Sequence, residues 1–428
     1  MNELRVLADG ELLGEVVQRP SGELVLTYDR SWQDRSDSFP LSLSMPLAER
    51  EHGDRVVRPF MENLLPDNAQ ILERWARQCR VSARNPFALL AHLGEDCAGA
   101  VQFVRPDRYN KVVDAGQGDV EWLTEDEIAV RLRDLVEHHG TGRLPGDRGQ
   151  FSLAGAQPKM PLLCDGERWG IPSGRMPTTH ILKPPAQQDL EGFDVNEYLC
   201  LRLAKELGLA VAAARVQSFA GRDALVVARY DRLRIGAGRV MRLHQEDTCQ
   251  SLGVSPLRKY ENEGGPGPAD IVNLLLRESD DAETDVGAFL DALALNWVIG
   301  GTDAHAKNYS LLLAAGSVRL APLYDLVSIL PYPHRVHDRE TALAMRIDRE
   351  YRVWKIRRRH WEGLAARCDL DPDPVIERVG QLVAGVPAAL ERAAAEVRSE
   401  GVRHDIIERL EVDVRAHSER CLEFLDLA

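Results

Sequence analysis

Apolar positions near the start of the chain come in short runs separated by turn dipeptides, and farther along they recur at helical spacing. Leu4 to Leu7 and Leu12 to Val17 flank Asp9-Gly10, the signal of a tight hairpin, and Glu23 to Tyr28 extends the pair into a meander. Asn68 to Gln78 places Ile71, Leu72 and Trp75 on one helical face. Asn85-Pro86 opens a second helix that runs to Leu93 and stops at Gly94. Gly99 to Val104 reads as a strand, and the polar stretch from Pro106 to Gly118 as an irregular boundary. A helix carrying Leu123, Ile128, Leu132 and Leu135 follows, then a glycine-rich run from Gly140 to Gly149.

Strand-like segments come next: Met160 to Cys164, His180 to Lys183, Val216 to Phe219 and Ala224 to Ala228. Between them lies a helix from Val195 to Leu207, closed by Gly208. Beyond Asp231-Arg232 most of the chain reads as helix: Asp270 to Leu276, Val286 to Val298, Pro374 to Val383, Ala388 to Val397 and Val402 to Leu427. A mixed α/β part before a mainly helical part predicts an α+β, two-lobed protein. The expected divisions are a β-rich subdomain over 1–105, a mixed lobe over 106–232 and a helical lobe over 233–428.

Composition narrows the class. With 44% hydrophobic and 28% charged residues, the chain has the make-up of a globular protein. The start shows no basic segment leading into an apolar one, so no secretory signal is expected. Phe289 to Ile299, the most apolar stretch, is broken by Asp291 and Asn296, so no membrane span is expected. Seven scattered cysteines without a C-x-x-C pair suit reduced thiols, and the expected location is the cytoplasm. A formal charge of −14 argues against nucleic-acid binding over the whole surface. The dense basic cluster Lys355, Arg357, Arg358, Arg359 and His360 reads first as a solvated face, with a phosphate or partner contact as the other reading.

The chemistry concentrates after Gly300-Gly301. Asp303 and Asn308 have the Asp-x-x-x-x-Asn spacing of a kinase catalytic loop, in which the Asp takes the substrate hydroxyl proton and the Asn oxygen holds Mg²⁺. Seventeen residues beyond Asn308, Asp325 ends the apolar run Leu320 to Tyr324, where kinases keep a second metal-holding acid. Taken alone, Asp303 reads equally well as a helix cap or a turn acid. Upstream, Phe151 to Lys159 is a loop of small residues entering a strand, and small side chains let backbone N–H groups approach phosphates. It matches no standard phosphate-loop sequence and also reads as a plain turn. Lys183 ends an apolar run, and its two readings are phosphate contact and an ion pair with Glu197 on the next helix. His180, His244, His334 and His337 form no H-x-x-x-H pair, and Ser152 lies in no G-x-S-x-G elbow, so zinc and serine-hydrolase chemistry rank low.

Many short motifs resemble, in order, those of the HipA family, the serine/threonine kinase toxins of bacterial toxin–antitoxin pairs. They are Phe39 to Leu47, Glu62 to Asp67, Ala154 to Lys159, Thr178 to Lys183, Asn196-Glu197-Tyr198, Arg229 to Arg232, His244 to Asp247, Gly264 to Gly267, the Asp303 segment and Leu323-Tyr324-Asp325. The resemblance implies a protein-kinase-like fold that uses ATP and Mg²⁺. It places Ala154, Gly155, Ala156, Gln157, Pro158 and Lys159 on the ATP phosphates, and Lys183 on the nucleotide. It makes Ala228, Arg229 and Tyr230 the hinge that meets adenine, and adds His305 and Tyr324 to the ATP site. Asp303 would be the base, with Asn308 and Asp325 on Mg²⁺. Ser152 matches the serine such kinases autophosphorylate, which draws the phosphate loop from its site and stops the enzyme.

The implied partners are a HipB-like DNA-binding antitoxin, operator DNA mainly through that antitoxin, and a translation protein as substrate. Aminoacyl-tRNA synthetases, the glutamyl enzyme in particular, are the expected target. Of two basic positions that touch DNA in the family, Arg367 matches one while Leu370 occupies the other. The segment from His337 to Asp348 also departs from the family. Two other readings stand beside the toxin kinase: a catalytically weak corepressor bound to its antitoxin, and a small-molecule phosphotransferase.

Overall fold

Each turn signal near the start of the chain joins a strand pair. In this computed structural model every residue is described except 1, 115–117, 138–150, 153, 156, 187–189, 237–238, 315, 333, 335–339 and 428. The glycine-rich run Gly140 to Gly149, together with Ala156 and His337, lies outside the described residues. Strands β1 (Glu3–Ala8), β2 (Glu11–Gln18), β3 (Leu24–Tyr28), β4 (Glu51–His52) and β5 (Val101–Val104) form one antiparallel sheet of order β4-β3-β2-β1-β5. Asp9 and Gly10 turn the first hairpin with φ of 46° and 88°, the left-handed pair that a two-residue turn needs. Helices Ala69–Cys79 and Pro86–Leu93 are capped by Asn68 and Asn85, whose side chains accept from backbone N–H groups of their first turns. Their apolar faces pack with the sheet around Tyr28, Phe60, Trp75, Phe87 and Phe103.

The segment expected to be irregular after Pro106 is a helix, Pro106–Val113. Its polar composition hid the signal. Pro106 sits in the first turn, and Val112 alone is fully buried, against Leu7 and Val104. Leu123 belongs to a strand, β6 (Val120–Leu123), and the helix begins only at Glu125. Strands β7 (Met160–Asp165), β8 (Arg168–Pro172), β9 (His180–Lys183), β10 (Ala214–Phe219) and β11 (Arg222–Ala228) join β6 in a second sheet of order β10-β11-β9-β7-β8-β6. Strands also follow Asp231, where helix was expected: β12 (Arg232–Ile235), β13 (Arg239–Arg242) and β14 (His244–Asp247). They are four residues each and rich in charge, too short for periodicity to reveal. Strand β14 belongs to a further sheet with β15 (Ser310–Ala314) and β16 (Ser317–Leu320).

The chain divides into two compact units that do not follow chain order. The first takes Met1–Pro184, Gln217–Leu257 and Leu311–Val318; the second takes Pro185–Val216, Arg258–Ser310 and Arg319–Ala428. Within the first, an ionic cluster ties the N-terminal sheet region to the segment after β11. Asp96 and Asp231 meet Arg229, Arg232 and Arg242, all with side chains under a tenth exposed. The guanidinium groups also donate to the carbonyls of Cys97, Gly99, Arg175 and Thr178. Burial opposes ionisation of both carboxyls, but the surrounding arginines outweigh it and hold them below the usual range. Removing one member leaves uncompensated buried charge, so the cluster makes the two segments interdependent.

Glu246 sits nearby in sequence but in a different state. It accepts the Leu43 N–H at 2.8 Å, and burial pushes its carboxyl up to about 8. A raised folded value stabilises fully below the unfolded range and is lost as pH climbs through about 8. Between these limits this group lowers stability by about 1.4 kcal/mol per pH unit. Glu246→Gln keeps the acceptor oxygen and cannot ionise. Its stability relative to the wild type is therefore expected to rise between pH 5 and pH 8 in urea unfolding; a pH-independent difference would refute the assignment.

In the second unit, helices Phe193–Glu206, Ala282–Ile299, Arg358–Arg367 and Ile406–Phe424 pack on the long helix Pro372–Ser399. Trp297 and Trp361 meet in its core with ring centroids 5.7 Å apart. Two expected helices, Pro374 to Val383 and Ala388 to Val397, are parts of that one helix. Pro387 lies inside it and withholds the hydrogen bond to the Val383 carbonyl, a break in isolation. Val383, Val386, Leu390 and Ala394 are nonetheless buried on both sides of it, and packing carries the helix through. Two strands the sequence hid, β17 (Ala342–Ile347) and β18 (Glu350–Arg352), complete the unit. Among the described residues no helix is long and apolar enough to cross a membrane.

Candidate active site

The end of helix Ala282–Ile299 sets up the segment around Asp303. Gly300 has a φ of 63°, and the Gly301 N–H returns to the Asn296 carbonyl at 2.7 Å. A Cβ on Gly301 would lie 2.2 Å from Asn296 Oδ1, so any side chain here would have to push the Asn296 amide aside. The chain then turns through Asp303, whose carboxylate is exposed. Its backbone carbonyl accepts from the His305 N–H at 2.8 Å and from Asn308 Nδ2 at 3.0 Å. The second bond fixes the Asn308 amide with its nitrogen on Asp303, which leaves Oδ1 as the free acceptor. His305 and Lys307 are buried beneath this turn.

Asp325 is held from both sides. Before it, Leu323 exchanges backbone bonds with Ala210 and Ala212 at 2.9 and 2.8 Å. After it, Asn196 on helix Phe193–Glu206 grips Ser328 twice, donating to its carbonyl at 2.8 Å and accepting its N–H at 3.0 Å. Between the anchors Asp325 takes a φ of 54°, a left-handed conformation that few side chains but Asn and Asp accept. Tyr324 connects the two acidic segments: its hydroxyl donates to the Lys307 carbonyl at 2.7 Å and meets Ser310 Oγ at 2.6 Å. The residue before Asp325 is thus bonded to the residue before Asn308. These bonds tie the segment that carries Tyr324 and Asp325 to the turn that carries Asp303 and Asn308.

The loop before β7 lies in the first unit. Ser152 is completely buried: its N–H donates to the Asp96 carbonyl at 3.0 Å and its hydroxyl to the Leu64 carbonyl at 2.6 Å. Gly155, with a φ of 102°, bridges Pro66, and its carbonyl accepts from Asp67. Lys159 reaches back to the Ala154 carbonyl at 3.0 Å, and its ammonium would lie 2.5 Å from a Cβ on Gly155. Gln157 and Pro158 are half-buried on the same loop. Lys183, at the end of β9 opposite Leu225, is 5% exposed.

At the expected hinge the side chains have partners of their own. Ala228 ends β11, but Arg229 sends its guanidinium into the ionic cluster, and its N–H and carbonyl bond Thr179 and Arg232. Tyr230 bonds Gln245 through its hydroxyl. Glu197 is fully buried on helix Phe193–Glu206; it and Lys183 belong to different units. Arg367 lies in the last turn of Arg358–Arg367, 3.6 Å from the Asp348 carboxylate.

The basic cluster is partly structural too. Arg357 covers the Phe424 ring at 3.7 Å and donates to the carbonyls of Trp354 and Ile356, and Arg358 pairs with Glu362. Lys355 and Arg359 remain exposed beside a cavity of about 430 Å³. His244 stacks on Phe39 and bonds the Leu41 carbonyl, and burial depresses its imidazole to about 4, a structural role. Sequence reasoning missed two residues of the site, Tyr260 and Asn196. Asn196 stood in a quoted motif without a role. Tyr260 had only its place before Gly264 to Gly267 to mark it.

Comparison with known proteins decides the family. A model of the HipA-like C-terminal domain matches residues 151–390, and one of the HipA N-terminal domain matches 4–104. The chain belongs to the HipA family. Y4mE of Sinorhizobium fredii, named as a kinase, is 40% identical over 393 residues, 91% of each chain. The serine/threonine-protein kinase toxin HipA of Shewanella oneidensis is 34% identical over 335 residues, 76% of this chain and 73% of that protein. The solved Shewanella oneidensis MR-1 complex of HipA, HipB and operator DNA contains a chain that superposes with a TM-score of 0.82. The match has 27% identity and covers 99% of this HipA-family chain and 98% of the other. The mixed α/β architecture is therefore that of a HipA-family kinase.

Proposed function

We propose that this chain is the toxin of a toxin–antitoxin pair, an ATP- and Mg²⁺-dependent serine/threonine protein kinase. The observation that carries the reading is the tethered set Asp303, Asn308 and Asp325 in a HipA-family chain. The donors fit the metal. Mg²⁺ takes one or two protein oxygens and fills its other positions with phosphate and water. Asn308 Oδ1 and the Asp325 carboxylate are hard oxygen donors of that kind. Among the described residues no group of three His, Cys, Asp or Glu competes with them for a metal. Held by Asn308 and Asp325, Mg²⁺ would supply positive charge to offset that of the ATP phosphates.

The chain's own residues do the rest. The exposed Asp303 carboxylate accepts the proton of a serine or threonine hydroxyl as its oxygen forms the new bond to the γ-phosphorus. The bond from that phosphorus to the β–γ bridging oxygen breaks, and ADP leaves. Lys183 and the backbone of Ala154 to Lys159 bind the phosphates, with Ala156 assigned on its motif alone. Ala228 and Tyr230 meet the adenine through backbone groups. Tyr324 serves by holding the metal-binding segments in register, and His305 by supporting the turn from beneath.

The reading extends to partners by likeness to the Shewanella assembly of HipA, HipB and operator DNA. A HipB-like antitoxin would bind this chain and carry it to DNA, with Arg367 as a candidate partner contact. The proposed substrate is a translation protein, an aminoacyl-tRNA synthetase and foremost the glutamyl enzyme, whose modification would arrest growth. Incubation with γ-labelled ATP tests the kinase reading. Label is expected on protein with Mg²⁺ present, and loss of it with EDTA or with Asp303→Asn. Equal labelling by Asp303→Asn would remove the proposal.

A further inference from the structure

A tyrosine the mechanism has not used touches the proposed base. Tyr260 Oη donates to Asp303 Oδ1 at 2.6 Å, and its ring stands edge-on to His305 with centroids 5.0 Å apart. The loop bearing Tyr260 is built to hold it. Its carbonyl accepts from the N–H groups of Glu263 and Gly265 at 3.1 and 3.0 Å. Gly264 has a φ of 83°, which strains most side chains, and a Cβ on Gly265 would lie 1.9 Å from the Arg258 carbonyl oxygen, so glycine is required at 265. On one side, the Lys259 carbonyl accepts from Ala306 in the turn that carries Asp303. On the other, Glu261 takes both the side chain and the N–H of Arg346 at 2.8 Å. The Gly264 to Gly267 motif is thus the support of a phenol aimed at a carboxylate.

An exposed carboxylate on a turn rotates freely, and most of its orientations present no oxygen to an acceptor. A base that must meet a hydroxyl at hydrogen-bond distance gains from having one oxygen tied. We infer that Tyr260 is a positioning residue for phosphoryl transfer: it holds Asp303 Oδ1 and leaves Oδ2 to the acceptor hydroxyl. The inference rests on the kinase reading and assigns Tyr260 no contact with nucleotide.

Tyr260→Phe removes the hydroxyl alone and keeps the ring against His305. The test measures kcat for phosphorylation of a protein acceptor, the affinity for ATP and the melting temperature, with wild type and Asp303→Asn in the same assay. The expected result is a fall in kcat of about tenfold with ATP affinity and melting temperature unchanged. An unchanged kcat overturns the inference. So does a raised one, which would make Tyr260 a stand-in for the acceptor. A joint loss of kcat, ATP affinity and melting temperature also overturns it, by making the role structural. Equal rates for wild type and Asp303→Asn remove the kinase reading itself, an outcome distinct from any produced by Tyr260→Phe.

Discussion

Asp325→Asn lowers phosphoryl transfer by about a thousandfold or more while the chain stays folded. The expectation follows from what the exchange preserves. Asparagine is nearly isosteric with aspartate, and the two share a tolerance for the left-handed backbone that Asp325 adopts at φ 54°. The anchors on either side, Leu323 on Ala210 and Ala212, and Ser328 on Asn196, use no atom of the Asp325 side chain. What disappears is one negative charge at the proposed metal site, and losses of that kind in phosphoryl transfer run to several powers of ten. Steady-state rates across a Mg²⁺ titration, with calorimetry on the same samples, check it. A rate within tenfold of the wild type would take Asp325 out of the metal site.

Ser152→Asp is expected to abolish ATP binding, whereas Ser152→Ala binds ATP as the wild type does. The Ser152 hydroxyl is buried and donates its proton to the Leu64 carbonyl at 2.6 Å. A phosphoserine has no proton on that oxygen and brings about −1.5 to −2 charges against a carbonyl oxygen. Aspartate brings one charge to the same place, and burying it unpaired is costly enough to expel the loop. Alanine loses one hydrogen bond, about 1 kcal/mol, and leaves an acceptor that burial only weakly penalises. The loop that leaves is the one held at Gly155 by Pro66 and Asp67. Phosphorylation at Ser152 would therefore need the loop to open first and would keep it open afterwards. Equilibrium binding of a fluorescent ATP analogue separates the variants; equal affinities would dissociate Ser152 from the nucleotide site.

How far the sequence led depends on the scale of the signal. Asn68, Asn85 and Gly94 announced helix ends because caps are local chemistry, legible within four residues. Asp303 and Asn308 could be singled out because spacing within one loop is local too, and Asp325 because it ends the apolar run Leu320 to Tyr324. The charged strands β12 and β13 were not, since they form by pairing with each other and carry no apolar alternation. Pro387 misled for the reverse reason: a strong local signal was overruled by burial along helix Pro372–Ser399. The segment expected to be the hinge shows the same limit. Arg229 belongs to the proposed nucleotide site by motif, yet its guanidinium is committed to Asp96 and Asp231, one of them far away in sequence. Tyr260 is separated from Asp303 by 43 residues, and no spacing rule joins them.

The most direct test of the account is mass-spectrometric mapping of phosphate on the purified chain after incubation with ATP and Mg²⁺. The wild type is expected to carry phosphate on Ser152, and Asp303→Asn to carry none. Phosphate at Ser152 in both proteins, or none in the wild type under conditions where it binds ATP, would contradict a kinase built on Asp303.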